Sequence, residues 1–335
     1  MNSMIVNGIT RLVMIVVIIQ MSGCYYLQAA RGQMEIVQKR EPIDEVVADD
    51  GTSPELVERL SMVAEARQFS IDVLGLPDND SYRGYADLER DYVVWNVVAV
   101  PEFSLQPKVW CYPIAGCVSY RGYFSPKSAR RKADSLRNKG FDVAFGGVVA
   151  YSTLGKFSDP VLSTMMHWGD VDLIAVIFHE LAHQLLYIKD ETGFNESFAT
   201  AVEEFGMERW LEGQRQADEL AAWQEQRALR TQFSALVADA RTDLGEIYDA
   251  GTNDDEKRRL KRDRLLVFAE DARALYTDSE SAAPAWLADE LNNARLASTT
   301  LYHGRLPEFR ALLVQCDNDL TCFYDAARKL AEDYR

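Results

Sequence analysis

The chain has 335 residues, 47% of them hydrophobic, so it can bury a sizeable core and does not have the composition of a disordered protein. It carries 36 Lys and Arg against 52 Asp and Glu, a formal net charge of -16. That charge argues against nucleic acid or an anionic membrane surface as a partner, and solubility is the simplest interpretation of the acidity.

The first 23 residues have the pattern of a lipoprotein signal peptide. Arg11 precedes an apolar run over 12–19 that is too short to span a bilayer. Residues 21–23 together with Cys24 resemble a bacterial lipobox, in which the chain is cleaved before the cysteine and the cysteine carries lipid. The alternatives are an ordinary signal peptide or an uncleaved anchor. All of these alternatives predict export.

The segment 24–52 is polar with mixed charges, and it is predicted to be a tether between the lipid anchor and a folded domain over 53–335. Tyr25, in place of Asp directly after the cysteine, resembles an outer-membrane sorting signal. We therefore expect a lipid-anchored protein of the cell envelope that faces the periplasm, on the outer membrane.

Export gives meaning to the cysteine count, because an oxidising compartment permits disulfides. If Cys24 carries lipid, four cysteines remain in two local pairs, Cys111 with Cys117 and Cys316 with Cys322. Four cysteines allow three connectivities. Two local bridges are the simplest of these, because the members of each pair lie much closer in sequence than the two pairs do. A structural zinc site built from all four would need CxxC-like spacing.

A helix is predicted from Pro54 to about Val73, because Ser53 suits an N-cap and the apolar residues that follow recur at helical spacing. Between about 91 and 154, β-branched and aromatic runs predict a small sheet. The strand candidates are 92–100, 108–112, 117–124 and 143–152. A helix over about 125–139 is predicted between the last two of these strands.

From Ser158 almost to the end, apolar residues recur at helical spacing. The interruptions are at turn-forming residues, which are Gly193, Gly251, 281–284 and Gly304. The predicted fold class is therefore α+β. Its parts are a sheet-containing region over about 85–156, two site helices over about 170–212, and a helical region over about 213–335.

Two of the four histidines, His179 and His183, stand four residues apart, with Glu180 directly after the first. Residues four apart share one face of a helix, so both imidazoles can bind one ion while Glu180 points at the water that it carries. The apolar stretch over 171–178 suits a buried helix. The alternative is a chance occurrence of this spacing on an unrelated helix.

A catalytic zinc commonly takes three protein ligands plus water, and Glu196 is the predicted third ligand. Turn residues over 189–193 allow a second helix, starting near Asn195, to pack antiparallel to the first. Glu203 lies two turns further along on nearly the same face, which suits an acceptor for a ligand imidazole. Two alternatives are open: Glu203 and Glu196 exchange roles, or Glu203 and Glu204 form a solvated acidic face.

The histidine motif followed by Asn195, Glu196 and Ser197 resembles the gluzincin metallopeptidases, where an Asn-Glu pair after the zinc helix supplies the third ligand. More closely, the mature chain is similar to predicted aminopeptidases found as lipoproteins of Gram-negative bacteria. The stretches that carry this similarity are 120–124, 179–183, 195–203, 292–295 and 306–309. The resemblance implies a zincin-like fold, Zn2+ as cofactor and a peptide as substrate.

This ligand set, with Glu180 as general base, predicts hydrolysis of peptide bonds. Tyr302, in a late loop, is the candidate donor to the oxyanion, with an ordinary packed tyrosine as the alternative. Gluzincins often bind the substrate backbone on an edge strand, for which 117–124 is the candidate. The two other histidines, His167 and His303, are expected to be surface or packing residues.

The competing function is a zinc-retaining but non-catalytic lipoprotein that binds peptide or peptidoglycan as a scaffold. The presence of Glu180 opposes this alternative. A degenerate site can lose its general base without losing its zinc, so the residue has no reason to be kept in a scaffold.

Overall fold

The computed structural model describes residues 25–112, 116–279, 281–288, 291–300 and 305–332. Within these ranges the chain is a mixed α+β fold that is mostly helical, with three small sheets, so the predicted fold class is confirmed. In the part of the chain so described, no helix combines the length and apolar character needed to cross a membrane.

The N-terminal segment differs from the predicted tether. Residues 25–39 form helix α1, followed by strand β1 (Arg40–Pro42) and helix α2 (Ile43–Ala48). Ile36 and Ile43 are buried in the main hydrophobic core, so this segment is part of the fold. The segment is polar on average, but one side of each helix carries a few apolar residues that pack into the core.

Helix α3 (Pro54–Asp72) confirms the first predicted helix. The Ser53 hydroxyl accepts a hydrogen bond from the Leu56 backbone N–H at 3.3 Å, which satisfies one of the free donors at the helix start. The buried side chains Leu60 and Val63 lie in the same core as the two site helices, so α3 packs against both of them.

The strands that follow are β2 (Gly84–Ala86), β3 (Val94–Pro101), β4 (Trp110–Tyr112), β5 (Gly116–Val118), β6 (Arg121–Tyr123), β7 (Phe141–Val148) and β8 (Val161–Leu162). The sheet with the strand order β6-β3-β7 is antiparallel and contains the two longest strands, β3 and β7. The second sheet has the order β1-β2-β8 and includes a parallel β2–β8 pair, and β4 and β5 form a separate hairpin. The predicted strand over 117–124 is therefore two strands, which belong to different sheets. The first, β5, pairs with β4, and the second, β6, pairs with β3.

Helix α4 (Pro126–Arg137) lies between β6 and β7 in the chain and packs on their sheet, as predicted. The Ser125 hydroxyl caps it by accepting from the Ser128 N–H at 3.3 Å. Ala129 and Ala133 face Val97 of β3 in a separate small core, so small side chains let the helix approach the sheet closely.

The remaining helices are α5 (Asp170–Leu185), α6 (Thr192–Gly213), α7 (Ala217–Asp249), α8 (Asp254–Asp278), α9 (Asn293–Thr300), α10 (Leu306–Gln315) and α11 (Leu320–Glu332). Helices α5 and α6 share the main core with α3, α10 and α11. Helices α7 and α8 pack around a second core that includes Phe233 and Phe268. Ala294 and Ala297 of α9 pack against Val98 of β3, which connects the helical part to the sheet.

Candidate metal centre

Helix α5 carries both histidines of the motif and is held by a nearly apolar buried face. The side chains that bury it include Leu173, Ile177, Phe178 and Leu181. His183 is only 5% exposed, and the side chain of His179 is 15% exposed. The two Nε2 atoms lie 3.1 Å apart, so the i, i+4 spacing has brought both imidazoles to one point, as predicted.

The connection to α6 is fixed by Asn195, which is 1% exposed. Its side-chain amide donates to the Ile188 carbonyl at 2.7 Å and its amide oxygen accepts from the Ile188 N–H at 2.7 Å. The turn before α6 passes through Asp190, whose φ of 68° lies in the left-handed region. Gly193 belongs to the first turn of α6 and not to the loop. The clip between Asn195 and Ile188 sets where α6 starts relative to α5.

Glu196 lies one residue beyond this clip and faces both imidazoles. Its Oε2 atom is 3.2 Å from His179 Nε2 and 3.6 Å from His183 Nε2. Tetrahedral bonds of about 2.0–2.1 Å to a metal place neighbouring ligand atoms about 3.3 Å apart, which these distances match closely. The ligand atoms of His179, His183 and Glu196 all lie within 4.8 Å of one another, so these three residues can hold a metal ion.

Glu203 contacts the other nitrogen of His179. Its Oε2 atom lies 3.0 Å from Nδ1, two helical turns along α6 from Glu196. An acceptor at Nδ1 favours the tautomer that leaves Nε2 free to bind a metal. By contrast, His183 Nδ1 is buried and has no hydrogen-bond partner among the described residues. The two carboxylates of α6 therefore face different atoms of the same histidine.

The charges of this cluster are strongly coupled. Burial by itself lowers the pKa of His179, but hydrogen bonds to Glu196 and Glu203 outweigh burial and raise that pKa to about 10. Burial likewise raises the pKa of Glu196, but hydrogen bonds from His179 and His183 prevail and lower it to about 2. Glu196 is therefore ionised at neutral pH, whereas His179 must release a proton before Nε2 can bind a metal.

Glu180 follows His179 and is half-buried. Burial raises the pKa values of Tyr82, Tyr120 and Asp159, and the negative charge of Glu180 raises all three further. The charge of the Glu180 carboxylate therefore acts on all three side chains. In the described part of the chain it does not belong to the ligand cluster, so it is available for proton transfer.

Tyr120, directly before the edge strand β6, is a site residue that the sequence argument did not single out. Burial, and then the charges of Glu196 and Glu180, raise the pKa of its hydroxyl to about 12. The hydroxyl therefore stays protonated at neutral pH, and the charges of both carboxylates act on it. Its place in the predicted strand 117–124 was the available signal, but the chain holds 15 tyrosines, and that signal is weak among so many.

The remaining predicted residues fall into two groups. Tyr302, His303 and Cys24 lie outside the described residues. His167 ends a short 3-10 turn with its side chain 63% exposed, 4.0 Å from Asp91, so the prediction of a surface residue is confirmed.

Tyr187 packs edge-on near His183, with ring centroids 6.3 Å apart, and adds an aromatic wall that the sequence did not indicate.

Both predicted disulfides are present. Cys111 and Cys117 bridge the two strands of the β4–β5 hairpin. Cys316 and Cys322 connect the end of α10 to the first turn of α11. The local connectivity inferred from sequence spacing is therefore confirmed.

Comparison with known proteins identifies one family. A family model described as “Putative aminopeptidase” matches residues 24–335. No curated protein and no solved structure matches the chain. The matched range includes the two site helices and the helical part that follows them.

Proposed function

The chain belongs to the family described as “Putative aminopeptidase”, and on that premise we propose that it is a zinc-dependent peptidase. In this proposal His179, His183 and Glu196 hold the zinc, and Glu180 is the general base. One observation carries it: ligand atoms from two helices converge to within 4.8 Å of one another. Two imidazoles and one carboxylate suit zinc better than magnesium or calcium, which prefer oxygen ligands throughout.

The chemistry divides between the bound ion and the protein's own groups. Zinc, when bound, polarises the scissile carbonyl and brings the pKa of its water toward neutrality. Glu180 accepts the proton of the attacking water and then gives it to the leaving amine, so it is base and then acid in one turnover. Its position directly after His179, outside the ligand cluster, supports this role.

A hydrogen-bond donor from the protein is needed where negative charge develops on the carbonyl oxygen. Tyr120 is proposed for this role, because it carries a protonated hydroxyl on which the charges of both Glu180 and Glu196 act. Tyr302 remains the candidate from the sequence. Both tyrosines are proposed as donors, Tyr120 on the evidence of its surroundings and Tyr302 on the sequence prediction alone.

The substrate is proposed to be a peptide that is cleaved beside its free amino end. The family description is the support for this direction of attack. Glu203 is proposed to orient the His179 ring from behind, so that Nε2 is presented to the metal.

The cell envelope is the proposed location, with lipid on Cys24 and the folded domain facing the periplasm from the outer membrane. The two disulfides support an exported protein, because such bonds persist in oxidising compartments. Mass spectrometry of the N-terminal peptide is expected to find Cys24 acylated, and Cys24→Ser is expected to release the protein from membranes. An unmodified Cys24 in membrane fractions contradicts the anchor.

The proposed function is tested by metal analysis and hydrolysis of peptides with free amino ends. We expect about one zinc per chain, loss of activity on chelation, and recovery on adding zinc back. A protein that holds zinc but cleaves no peptide supports the scaffold alternative. A chain that holds no zinc after metal-replete purification contradicts the site itself.

A further inference from the structure

A pocket of about 260 Å³ opens beside His179, between α6, α7 and the start of α10. Its volume lies just below the roughly 300–1,000 Å³ of pockets for drug-sized ligands, so it suits one or two residues of a substrate. Because His179 itself lines the pocket, a molecule bound there lies next to the proposed zinc site.

The pocket concentrates positive charge in an acidic chain. Arg227, Arg230 and Arg310 all line it, although the net charge of the protein is -16. Two of the three are neutralised by neighbours. Arg310 donates to Glu204 at 2.6 and 2.8 Å, and Arg227 donates to Glu208 at 2.6 Å.

Arg230 has no carboxylate partner among the residues that the structure describes. Glu203, the other carboxylate of the pocket lining, is bound to His179. The guanidinium of Arg230 lies over the ring of Trp223, 4.7 Å from its centroid. Stacking on an aromatic ring restrains a guanidinium and leaves its edge free to bind a carboxylate with two parallel hydrogen bonds.

Part of the pocket lining is aliphatic. Leu306 and Pro307, at the start of α10, line it together with Thr200 of α6. This combination suits an amino-acid residue that carries an apolar side chain and a free carboxylate. A longer polypeptide has no such carboxylate at this distance from the cleaved bond.

Building on the proposed function, we propose that Arg230 binds the free C-terminal carboxylate of the substrate, so that dipeptides and tripeptides are the preferred substrate class. The leaving residue lies in the pocket with its side chain against Leu306 and Pro307. Because His179 belongs to both the pocket and the candidate metal centre, this subsite adjoins the site where the bond is proposed to be cleaved.

The test measures peptide binding separately from catalysis. Calorimetry on the full chain with Glu180→Gln, which is not expected to turn peptides over, compares alanyl-leucine with its C-terminal amide. We expect the free acid to bind at least about tenfold more tightly, as for a hydrogen bond to a charged group. Adding Arg230→Ala removes this preference, and Arg230→Lys, which keeps the charge without the planar fork, retains part of it.

The matched control is Arg262→Ala, which removes an exposed arginine of α8 outside the pocket and is expected to leave the preference intact. Equal binding of acid and amide, absence of binding of the acid, or a preference that survives Arg230→Ala overturns the proposal. The α-amide of alanyl-glutamic acid carries its carboxylate only on the side chain. If it binds as tightly as alanyl-leucine, recognition of the chain terminus is wrong. Failure of the proposed function has a different signature: the parent protein lacks zinc or hydrolyses neither peptide.

Discussion

His179 is contacted at both ring nitrogens, and the two contacts have different consequences. Glu196 lies 3.2 Å from Nε2 and Glu203 lies 3.0 Å from Nδ1. A carboxylate at Nδ1 orients the ring and makes Nε2 a better ligand, whereas a carboxylate beside Nε2 is placed to bind the same ion as that nitrogen. The arrangement therefore favours Glu196 as the ligand and Glu203 as the residue that orients His179.

Replacing Glu203 with Gln is expected to weaken zinc affinity by about 10 to 100-fold without abolishing binding. The amide still fills the space but accepts more weakly from Nδ1. Competition with a chelating dye measures the change, and Glu212→Gln, an exposed substitution on the same helix, is the control. If Glu203→Gln loses its zinc while Glu196→Gln keeps it, the two carboxylates have exchanged roles.

In metal-free protein, NMR titration is expected to show one histidine with a midpoint far above the usual value of about 6.5. The pKa of His179 is about 10, because its bonds to Glu196 and Glu203 outweigh burial. A raised pKa stabilises the folded state fully below about 6.5, and this stability is lost as pH rises toward 10. Glu203→Gln is expected to lower the midpoint. Titration of every histidine near pH 6.5 would falsify the coupling.

Sequence spacing identified the histidines because i, i+4 geometry is a property of any helix. It could not decide between Glu196 and Glu203, since seven residues are nearly two full turns and both carboxylates lie on nearly one face of α6. Only the packing of α6 against α5 shows which atom each one meets. Tyr120 was missed for a related reason: it comes from a different part of the chain, and its place in the predicted strand 117–124 did not show that this strand approaches α5 and α6.

At the scale of elements, the site depends on how α5 and α6 are joined. Asn195 exchanges two hydrogen bonds of 2.7 Å with the backbone of Ile188, and all of these groups are buried. Glu196 follows immediately, so the clip that starts α6 also places the third ligand. An Asn-Glu pair has a physical reason here: the amide holds the turn and the carboxylate faces both imidazoles.

Asn195→Ala is expected to lower the free energy of unfolding by about 1–3 kcal/mol, because it leaves the buried N–H and C=O of Ile188 without their partner. Zinc affinity is expected to fall as well, since Glu196 loses its fixed position. Urea denaturation and zinc analysis measure the two effects. Asn138→Ala, which removes an exposed asparagine at the end of α4, is the control. Unchanged stability and zinc content in Asn195→Ala would rule out the role of the clip.

The predictable elements were those with local start signals. Helices α3 and α4 begin at Ser53 and Ser125, and each serine hydroxyl caps its helix as the sequence indicates. The strand over 117–124 was wrong because its two halves pair with different strands, which depends on tertiary structure. The tether over 24–52 was wrong because burial of Ile36 and Ile43 depends on a distant core.

At the scale of the whole molecule, a buried polar network connects the helical part to the sheet. The Lys261 ammonium donates to Asp142 of β7 at 2.6 Å and to the Glu102 carbonyl at 2.8 Å. Asn293, fully buried, donates its backbone N–H to Asp142 and its side chain to the Glu102 carbonyl. The asparagine stretch at 292–293 thus has a structural role that its sequence alone did not disclose.

Lys261→Ala is expected to lower the free energy of unfolding by about 2–3 kcal/mol, because it leaves the Asp142 charge largely buried without its cation. The side chains of this pair are only 10% and 17% exposed. Arg328→Ala, which breaks an exposed pair within α11, is expected to have little effect on stability. Urea denaturation compares the two variants. Equal stability of both variants and the parent would show that the network does not hold the two parts together.

Neighbouring residues of α5 are proposed to separate metal binding from proton transfer. The most direct test measures zinc content and peptide hydrolysis in two variants, His183→Ala and Glu180→Gln. His183→Ala removes a ligand, so zinc and activity are expected to fall together. Glu180→Gln keeps all three ligands, so it is expected to retain about one zinc per chain while hydrolysis drops by roughly two or more orders of magnitude. A Glu180→Gln protein that holds its zinc and cleaves peptides as fast as the parent would contradict the account.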